Sequence, residues 1–330
     1  MPATDSRALA FSRRRLLQAA GAACVVPAAF AQDGYPSKSI NLIVPFAAGG
    51  TTDVVVRAIA QAMTPRLGKP IVIENVPGAG ANIGAAKAAA SAPDGYTVLL
   101  MSTAHTINPA MYSKPGYTQD SFAPVGSIGA SPCWLFVGEK SPFKTMQELV
   151  AALKANPGKY TYGSGGSGTT AHLAVELLKR RYGLHATHIP YKASPQAFTD
   201  IIAGTVDFGM NPVTGTDALV KSGRLRALAI GSDARMPAFA DVPTLTEVGL
   251  PGVDVLGWFG LVVPKGTPAP IVATLEAALR QAASDPGVRA SLAGMGTIAR
   301  PSSKEEFGKF IQAETGRWSD LVAAIGAKAD

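Results

Sequence analysis

Residues 160–178 read YTYGSGGSGTTAHLAVELL, with a glycine-rich turn between a β-like run and an apolar-periodic helix. Residues 163–168 have the spacing G-x-G-x-x-G, which dinucleotide-binding proteins place between a strand and a helix. Glycine lets the backbone adopt positive φ and approach a ligand closely, and the free N–H groups of a helix N-terminus attract anions. The stretch therefore predicts a strand–turn–helix unit of an α/β protein, with a candidate anion site at the turn.

The same alternation of strand-like and helical patterns recurs along the chain. Residues 39–46 (SINLIVPF) precede a helical pattern at 52–63, and residues 187–191 (THIPY) precede another at 195–204. Such alternation is typical of parallel sheets covered by helices. The chain is therefore predicted to be α/β.

Two apolar, β-like runs bracket the middle of the chain: WLFVGEKSPF at 134–143 and LGWFGLVVPKG at 256–266. Because the block between them contains its own αβ units, chain order predicts one lobe interrupted by another, with two crossing segments. We expect lobe 1 to comprise 32–133 and 260–330, including the helical tail after Pro270, and lobe 2 to comprise 134–259. A cleft between lobes is where small ligands usually bind.

The first 31 residues have the pattern of a signal peptide: three consecutive arginines, a short apolar run, and Ala29-Phe30-Ala31 just before Gln32. The paired arginines resemble a twin-arginine signal, and ordinary Sec export stays open. No later segment approaches the roughly 20 apolar residues of a membrane span. We therefore expect an exported, soluble, periplasmic protein that is monomeric. Cleavage after Ala31 would leave Cys133 as its single cysteine, so no intramolecular disulfide is expected.

The net charge of the chain is +7, and part of it lies in the predicted signal peptide. The remaining Lys and Arg residues are scattered and form no basic stripe interleaved with aromatics, so nucleic acid is not an expected partner.

Several kinds of cofactor, catalytic and metal site lack their required residues in this sequence. The strand-like run after the helix that follows the 163–168 turn reads ATHIPYK (186–192). It lacks the acid that holds the ribose in dinucleotide-binding proteins. No glycine turn continues into the Gly-Lys-Ser/Thr of a P-loop, and Thr169 stands where a nucleophile elbow around Ser167 needs glycine. The histidines do not have the spacing of zinc ligands. We expect no cofactor and no metal, and an enzyme on a related fold, a lyase or oxidoreductase, stays the alternative.

Two titratable residues lie in the first turns of predicted helices. Asp53 is expected to complement the helix dipole rather than contact a ligand. The same dipole disfavours a cation at His172, so its ring should be neutral and either tie the glycine turn to a neighbour or donate to a ligand.

Eight motifs in order carry a resemblance to a known family. They are IVPFAAGGTTD (43–53), NVPGAGANIGAA (75–86), APDGYTVLL (92–100), PGKYTYGSGGSGTTAHL (157–173), IPYK (189–192), ALAIGSDAR (227–235), VPTLTEVGLPG (242–252) and GLVVPKGTP (260–268). Together they resemble the Bug receptors, the periplasmic substrate-binding proteins of tripartite tricarboxylate transporters. The resemblance implies a two-lobed periplasmic-binding-protein fold, each lobe a mostly parallel sheet flanked by helices, that closes on a small organic acid for a membrane permease, without catalysis.

In that family two glycine-rich turns act as pincers that bind carboxylates through backbone N–H groups, hydroxyls and water. They match residues 45–53, here called the first turn, and residues 164–170, the third turn; residues 78–84 form the second turn. The resemblance implies ligand contacts at Phe46, Ala48, Gly49, Thr51, Ser164, Gly165, Gly166, Ser167 and Thr169, with Thr103, His105 and Asn211 in the pocket wall. The ligand should be a mono- or dicarboxylate, and a sensor rather than a permease stays open as the partner.

Overall fold

The computed structural model describes residues 34–253 and 255–328. Residues from Pro36 onward form one compact unit. The predicted signal peptide, residues 1–31, lies outside the described residues. Within the described part, no helix has both the length and the apolar composition needed to cross a membrane.

The first sheet begins with three parallel strands in the order β2, β1, β3: β1 Ile40–Val44, β2 Ile71–Asn75 and β3 Thr97–Ser102. Helices α1, Thr51–Leu67, and α2, Asn82–Ala89, connect them. Strand β9, Leu256–Pro264, pairs antiparallel with β3. These β-strand–helix connections are the right context for ligand-binding turns, because each helix starts at the carboxyl edge of the sheet.

The second sheet repeats this arrangement. Strand β5, Thr161–Ser164, pairs in parallel with β6, Thr187–Pro190, and with β7, Phe208–Pro212. Helices α4 Met146–Ala155, α5 Thr170–Tyr182, α6 Ser194–Ala203 and α7 Asp217–Lys221 belong to this half of the chain, as does strand β8, Leu225–Ile230.

One long strand, β4 at Phe122–Gly138, takes part in both sheets. Its residues up to Pro132 pair antiparallel with β9, and from Cys133 onward it pairs antiparallel with β7 and β8. The short strand β10, Ile298–Ala299, also pairs antiparallel with β4. Each sheet is therefore mixed rather than mostly parallel, because the crossing strands run against the parallel strands that they join. Burial raises the pKa of the Cys133 thiol, as suits a small core residue.

The chain after β9 is mainly helical, with α8 Ala269–Ser284, α9 Pro286–Gly294 and α10 Lys304–Ile325. Helix α3, Thr103–Met111, follows β3. Ser303 precedes the first residue of α10 and caps the helix, because its hydroxyl accepts the N–H of Glu306. Its first half packs Phe307 against the core of the first sheet, and its second half packs Trp318 into the core of the second. The tail is thus not confined to the first sheet, and the lobe boundaries given above stay a prediction.

A glycine on β9 tests how closely α10 packs on the first sheet. A Cβ on Gly260 would lie 2.1 Å from the Phe307 ring. We expect Gly260→Ala to lower the free energy of unfolding by about 1–3 kcal/mol because the added methyl overpacks the core. Gly316→Ala on the exposed face of α10 meets no atom within 4 Å, so it should be neutral or stabilising by up to about 1 kcal/mol. Urea denaturation of both variants measures this difference, and equal effects would contradict it.

Candidate functional site

A cavity of about 80 Å³ lies at the carboxyl ends of the parallel strands of both sheets. The first-sheet side is lined by Pro45, Phe46, Ala47, Gly50, Thr52, Pro77, Gly78, Gly80, Ala81, Ser102, Thr103 and Ala104, and the β9 strand adds Gly257, Trp258 and Phe259. The second-sheet side is lined by Gly165, Thr169, Thr170, Ala171, Lys192, Ala193, Ser194, Pro195, Asn211 and Pro212. The volume is well below the roughly 300–1,000 Å³ of pockets for drug-sized molecules, so it suits a small ligand.

The residues that cap five helix N-termini all line this cavity. They are Gly50 before α1, Ala81 before α2, Ser102 before α3, Thr169 before α5 and Ala193 before α6. Each helix N-terminus carries unpaired backbone N–H groups and roughly half a positive charge. No Asp or Glu is found among the described residues that line the cavity. The arrangement therefore favours an anionic ligand.

The first turn is held by a buried carboxylate. Asp53 accepts hydrogen bonds from the Gly49 N–H at 3.0 Å, from Arg57 at 2.9 Å and from Asn75 at 2.9 Å. The Asn75 amide also donates to the carbonyl of Phe46 at 3.0 Å. Burial raises the pKa of Asp53, but these hydrogen bonds outweigh it and the pKa is lowered. Asp53 does not line the cavity, and its observed role is to fix the turn and complement the start of α1.

The third turn is fixed by its own hydroxyl groups. The Ser164 hydroxyl accepts the N–H of Gly166 at 3.2 Å, and the Thr169 hydroxyl donates to the carbonyl of Gly166 at 2.7 Å. Gly166 has φ of +124°, in a region that side chains rarely adopt. These hydroxyls therefore serve the turn, and the neighbouring backbone faces the cavity at Gly165.

Two neutral histidines lie under the third turn. The N–H of Gly168 donates to Nδ1 of His172 at 3.3 Å, and His188 Nε2 lies 2.7 Å from the Ser164 hydroxyl. The two rings stack with centroids 4.1 Å apart. Burial, with a smaller contribution from Lys179, lowers the pKa of His172 to about 4. His172 therefore ties the turn to its helix, one of the two roles expected for it.

The second turn is strained and presses against the third. Gly78, Ala79, Gly80 and Ala81 all have positive φ, and the two alanines are the only such non-glycine residues in the described ranges. A Cβ on Gly80 would lie 2.6 Å from the carbonyl oxygen of Ser167. Positive φ at residues other than glycine costs of order 1–3 kcal/mol each and clusters at functional sites.

Helix α3 holds these two turns together. The Asn108 amide donates to the carbonyl of Gly80 at 2.7 Å, and the Tyr112 hydroxyl donates to the carbonyl of Ser167 at 3.0 Å. The second turn thus forms a wall of the cavity, and it lies against the third turn, which belongs to the second sheet.

The structure brings five of the predicted site residues to the cavity: Phe46, Thr103, Gly165, Thr169 and Asn211. Ala48 and Gly49 are exposed, and Thr51 is the first residue of α1. Ser164, Gly166 and Ser167 shape the third turn behind its cavity-facing part. Ligand contacts at all of these positions stay a prediction.

His105 lies away from the cavity, in contrast to its expected place in the pocket wall. It is fully buried, and its Nδ1 accepts the N–H of Ser102 at 3.1 Å to cap α3. Burial lowers its pKa to about 4. The ring turns inward because the capping position requires it to reach back to the residue before the helix.

A family model described as the tripartite tricarboxylate transporter family receptor matches residues 55–327 of the chain. The chain belongs to this receptor family. The resemblance inferred from the sequence motifs is confirmed.

Solved structures of similar proteins support the same conclusion. The periplasmic binding protein BugD is 33% identical with a TM-score of 0.85, and covers 89% of this receptor and 99% of its own chain. MatC from Rhodopseudomonas palustris, with bound malate, is 33% identical with a TM-score of 0.83 over 87% of this receptor and all of its own chain. The R. palustris protein Rpa4515, with adipate, is 30% identical with a TM-score of 0.85 over 88% and 98%.

These neighbours confirm the two-lobed periplasmic-binding-protein fold for this receptor. They also decide between the receptor and enzyme alternatives, because the family and its neighbours are solute-binding receptors.

Several cavity residues of this receptor were missed by the sequence prediction of the site. Lys192 and Ser194 lie just after β6, and Trp258 lies at the start of β9. The IPYK motif could have indicated Lys192, since it follows a strand at the same sheet edge as the third turn. Trp258 was read only as part of a crossing strand, and its indole N–H, which donates to the buried Glu314 at 3.1 Å, depends on the distant α10.

The buried histidines predict an acid-sensitive receptor. His105 and His172 have a folded pKa of about 4, against roughly 6.5 for an unfolded histidine. The unfolded chain therefore binds protons first as the pH falls, so the stabilisation is complete above pH 6.5 and is lost towards pH 4. Each residue should contribute about 3 kcal/mol to this loss.

Urea denaturation between pH 7.5 and 4 measures the effect. His172→Asn, whose amide oxygen can accept the same N–H, should flatten the curve, whereas His185→Asn on the exposed surface should leave it unchanged. An unaltered curve for His172→Asn would contradict the assignment.

Proposed function

We propose that this receptor binds a small organic mono- or dicarboxylate in the cavity and delivers it to the membrane permease of a tripartite tricarboxylate-type transporter. The observation that carries the proposal is the convergence of five helix N-termini on a cavity without a lining acid. Malate and adipate in the similar structures are both dicarboxylates, which agrees with an acid as ligand.

Backbone N–H groups and the Thr52 hydroxyl provide donors on two sides of the cavity, whereas the Thr169 hydroxyl already donates to the Gly166 carbonyl. Gly50 and Thr52 belong to the first turn, and Gly165 and Thr169 belong to the third. Hydrogen bonds to a charged oxygen contribute about 1.5–3 kcal/mol each, so four to six of them are enough for micromolar binding after the cost of association. An acid held by both turns would favour the closed arrangement over an open one, because only the closed arrangement makes both sets of contacts.

The division into lobes at 32–133 with 260–330 and at 134–259 is part of this proposal. So are export by the N-terminal signal, a periplasmic location, a monomeric state, and a permease rather than a sensor as the membrane partner. The family and BugD support the periplasmic location and the transport role.

A ligand screen tests the carboxylate assignment. A ligand at a hundredfold excess over Kd adds about 2.7 kcal/mol to stability, which raises the melting temperature by up to about 5 °C for a chain of this size. We expect such a shift with at least one small carboxylate and none with NAD(H), NADP(H) or ATP. The bound acid should be recovered chemically unchanged. A shift with NAD and none across a broad panel of carboxylates would overturn the proposal.

A Gly165→Ala substitution, which adds one methyl group, tests whether the third turn takes part in ligand binding. A Cβ on Gly165 would lie 2.4 Å from the Ser194 hydroxyl and 3.0 Å from the Ser194 nitrogen. Gly165→Ala should therefore separate the turn from the start of α6 and weaken binding of the screened acid at least tenfold.

Calorimetry measures the affinity, and circular dichroism checks that the fold is intact. Gly294→Ala is the matched control because its Cβ would meet no atom within 4 Å. An unchanged affinity for Gly165→Ala would show that the third turn is not part of the site.

A further inference from the structure

The cavity contains a single charged side chain among its described lining residues, that of Lys192. The remaining lining residues are apolar, glycine, Ser, Thr or Asn. Helix N-termini can hold one carboxylate with neutral donors, because their N–H groups are already oriented towards it. A lysine at the same cavity is an additional cation that a single carboxylate does not require.

Lys192 has no charged partner within the part of the chain that the structure describes. Its side chain is exposed, and no ion pair or hydrogen bond joins it to another described residue. Other lysines are paired in the folded chain, such as Lys179 with Glu176 at 2.6 Å and Lys304 with Glu276 at 3.1 Å. Lys192 therefore brings an uncompensated positive charge to the cavity.

The backbone around Lys192 is fixed against the third turn on both sides. The N–H of Tyr191 donates to the carbonyl of Ser164 at 3.0 Å, and the Tyr191 hydroxyl donates to Asp200 at 2.5 Å. Ser194, two residues further on, lies against Gly165, so closely that it excludes a side chain there. Lys192 is thus held at the second-sheet side of the cavity, while the first turn lies on the first-sheet side.

The cavity lining also includes apolar side chains. Phe46 and Pro77 line it from the first sheet, and Trp258, which is buried, lines it from β9. A lining that combines apolar side chains with anion-binding groups on two sides suits a short carbon chain with a carboxylate at each end.

We propose that Lys192 determines specificity by selecting dicarboxylates over monocarboxylates. This inference rests on the proposed function and names the class of acid. One carboxylate binds the neutral N–H donors at the first-sheet side, and the second pairs with the Lys192 ammonium beside the N-terminus of α6. If that cation were absent, the second carboxylate would lose its hydration and gain no charged partner, which costs free energy.

The experiment compares each dicarboxylate with its own monoamide, which has nearly the same shape and one negative charge fewer. Calorimetry with succinate against succinamate, and adipate against adipamate, gives the preference of the unmodified receptor. We expect at least one dicarboxylate to bind about tenfold more tightly than its monoamide, the lower end for a hydrogen bond between charged groups because Lys192 is exposed. The preference should decrease at high salt.

Lys192→Met keeps an unbranched side chain of nearly the same length and removes the charge. It should weaken the dicarboxylate about tenfold and leave the monoamide unchanged, and Lys192→Arg should retain most of the preference. Lys140→Met makes the same change in net charge at an exposed lysine that does not line the cavity, and should alter neither affinity.

Two outcomes would overturn the inference while leaving the proposed function intact. One is equal weakening of dicarboxylate and monoamide in Lys192→Met, which would mean that Lys192 only supports the fold of the cavity. The other is tighter binding of monocarboxylates by the unmodified receptor. Failure of every acid to bind would instead overturn the proposed function, and the inference with it.

Discussion

The antiparallel pairing of β4 with strands of both sheets is the constraint on which the rest of the structure depends. Because one continuous strand pairs with β9 up to Pro132 and with β7 and β8 from Cys133 onward, the two sheets are fixed at a short distance from each other. Their parallel strands then end at a shared space. The helices that follow those strands begin there, so the helix N-termini of both sheets face one cavity.

The charges around that cavity are arranged so that buried titratable groups do not compete with a ligand. The negative charge of Asp53 is balanced by its ion pair with Arg57, and Asp53 holds the first turn. His172 and His188 are kept uncharged beneath the third turn. The turns themselves are stiffened by hydrogen bonds to these groups. Asp53, His172 and His188 thus shape the turns without lining the cavity, whose surface combines glycine backbone with apolar and polar side chains.

The strand–turn–helix units could be predicted from the sequence because they are local: a β-like run, a glycine-rich turn and an apolar-periodic helix succeed one another without a gap, as at 160–178. The site was predicted less completely because it depends on contacts between distant segments. Trp258 reaches the cavity only through the pairing of β9 and its bond to Glu314. His105 follows a strand end, the position that favours a pocket residue, yet its capping bond turns the ring inward.

Helix α10 contributes Phe307 to one core and Trp318 to the other, although both cores are built mainly from residues far earlier in the chain. Neither half of the molecule can therefore complete its interior until this last helix is in place. The contacts of Trp318 with the region of Ile107 close a very long loop, and such contacts form late and slow the search for the native state. The two halves should consequently fold together as one cooperative unit, and the packing of α10 should complete both cores.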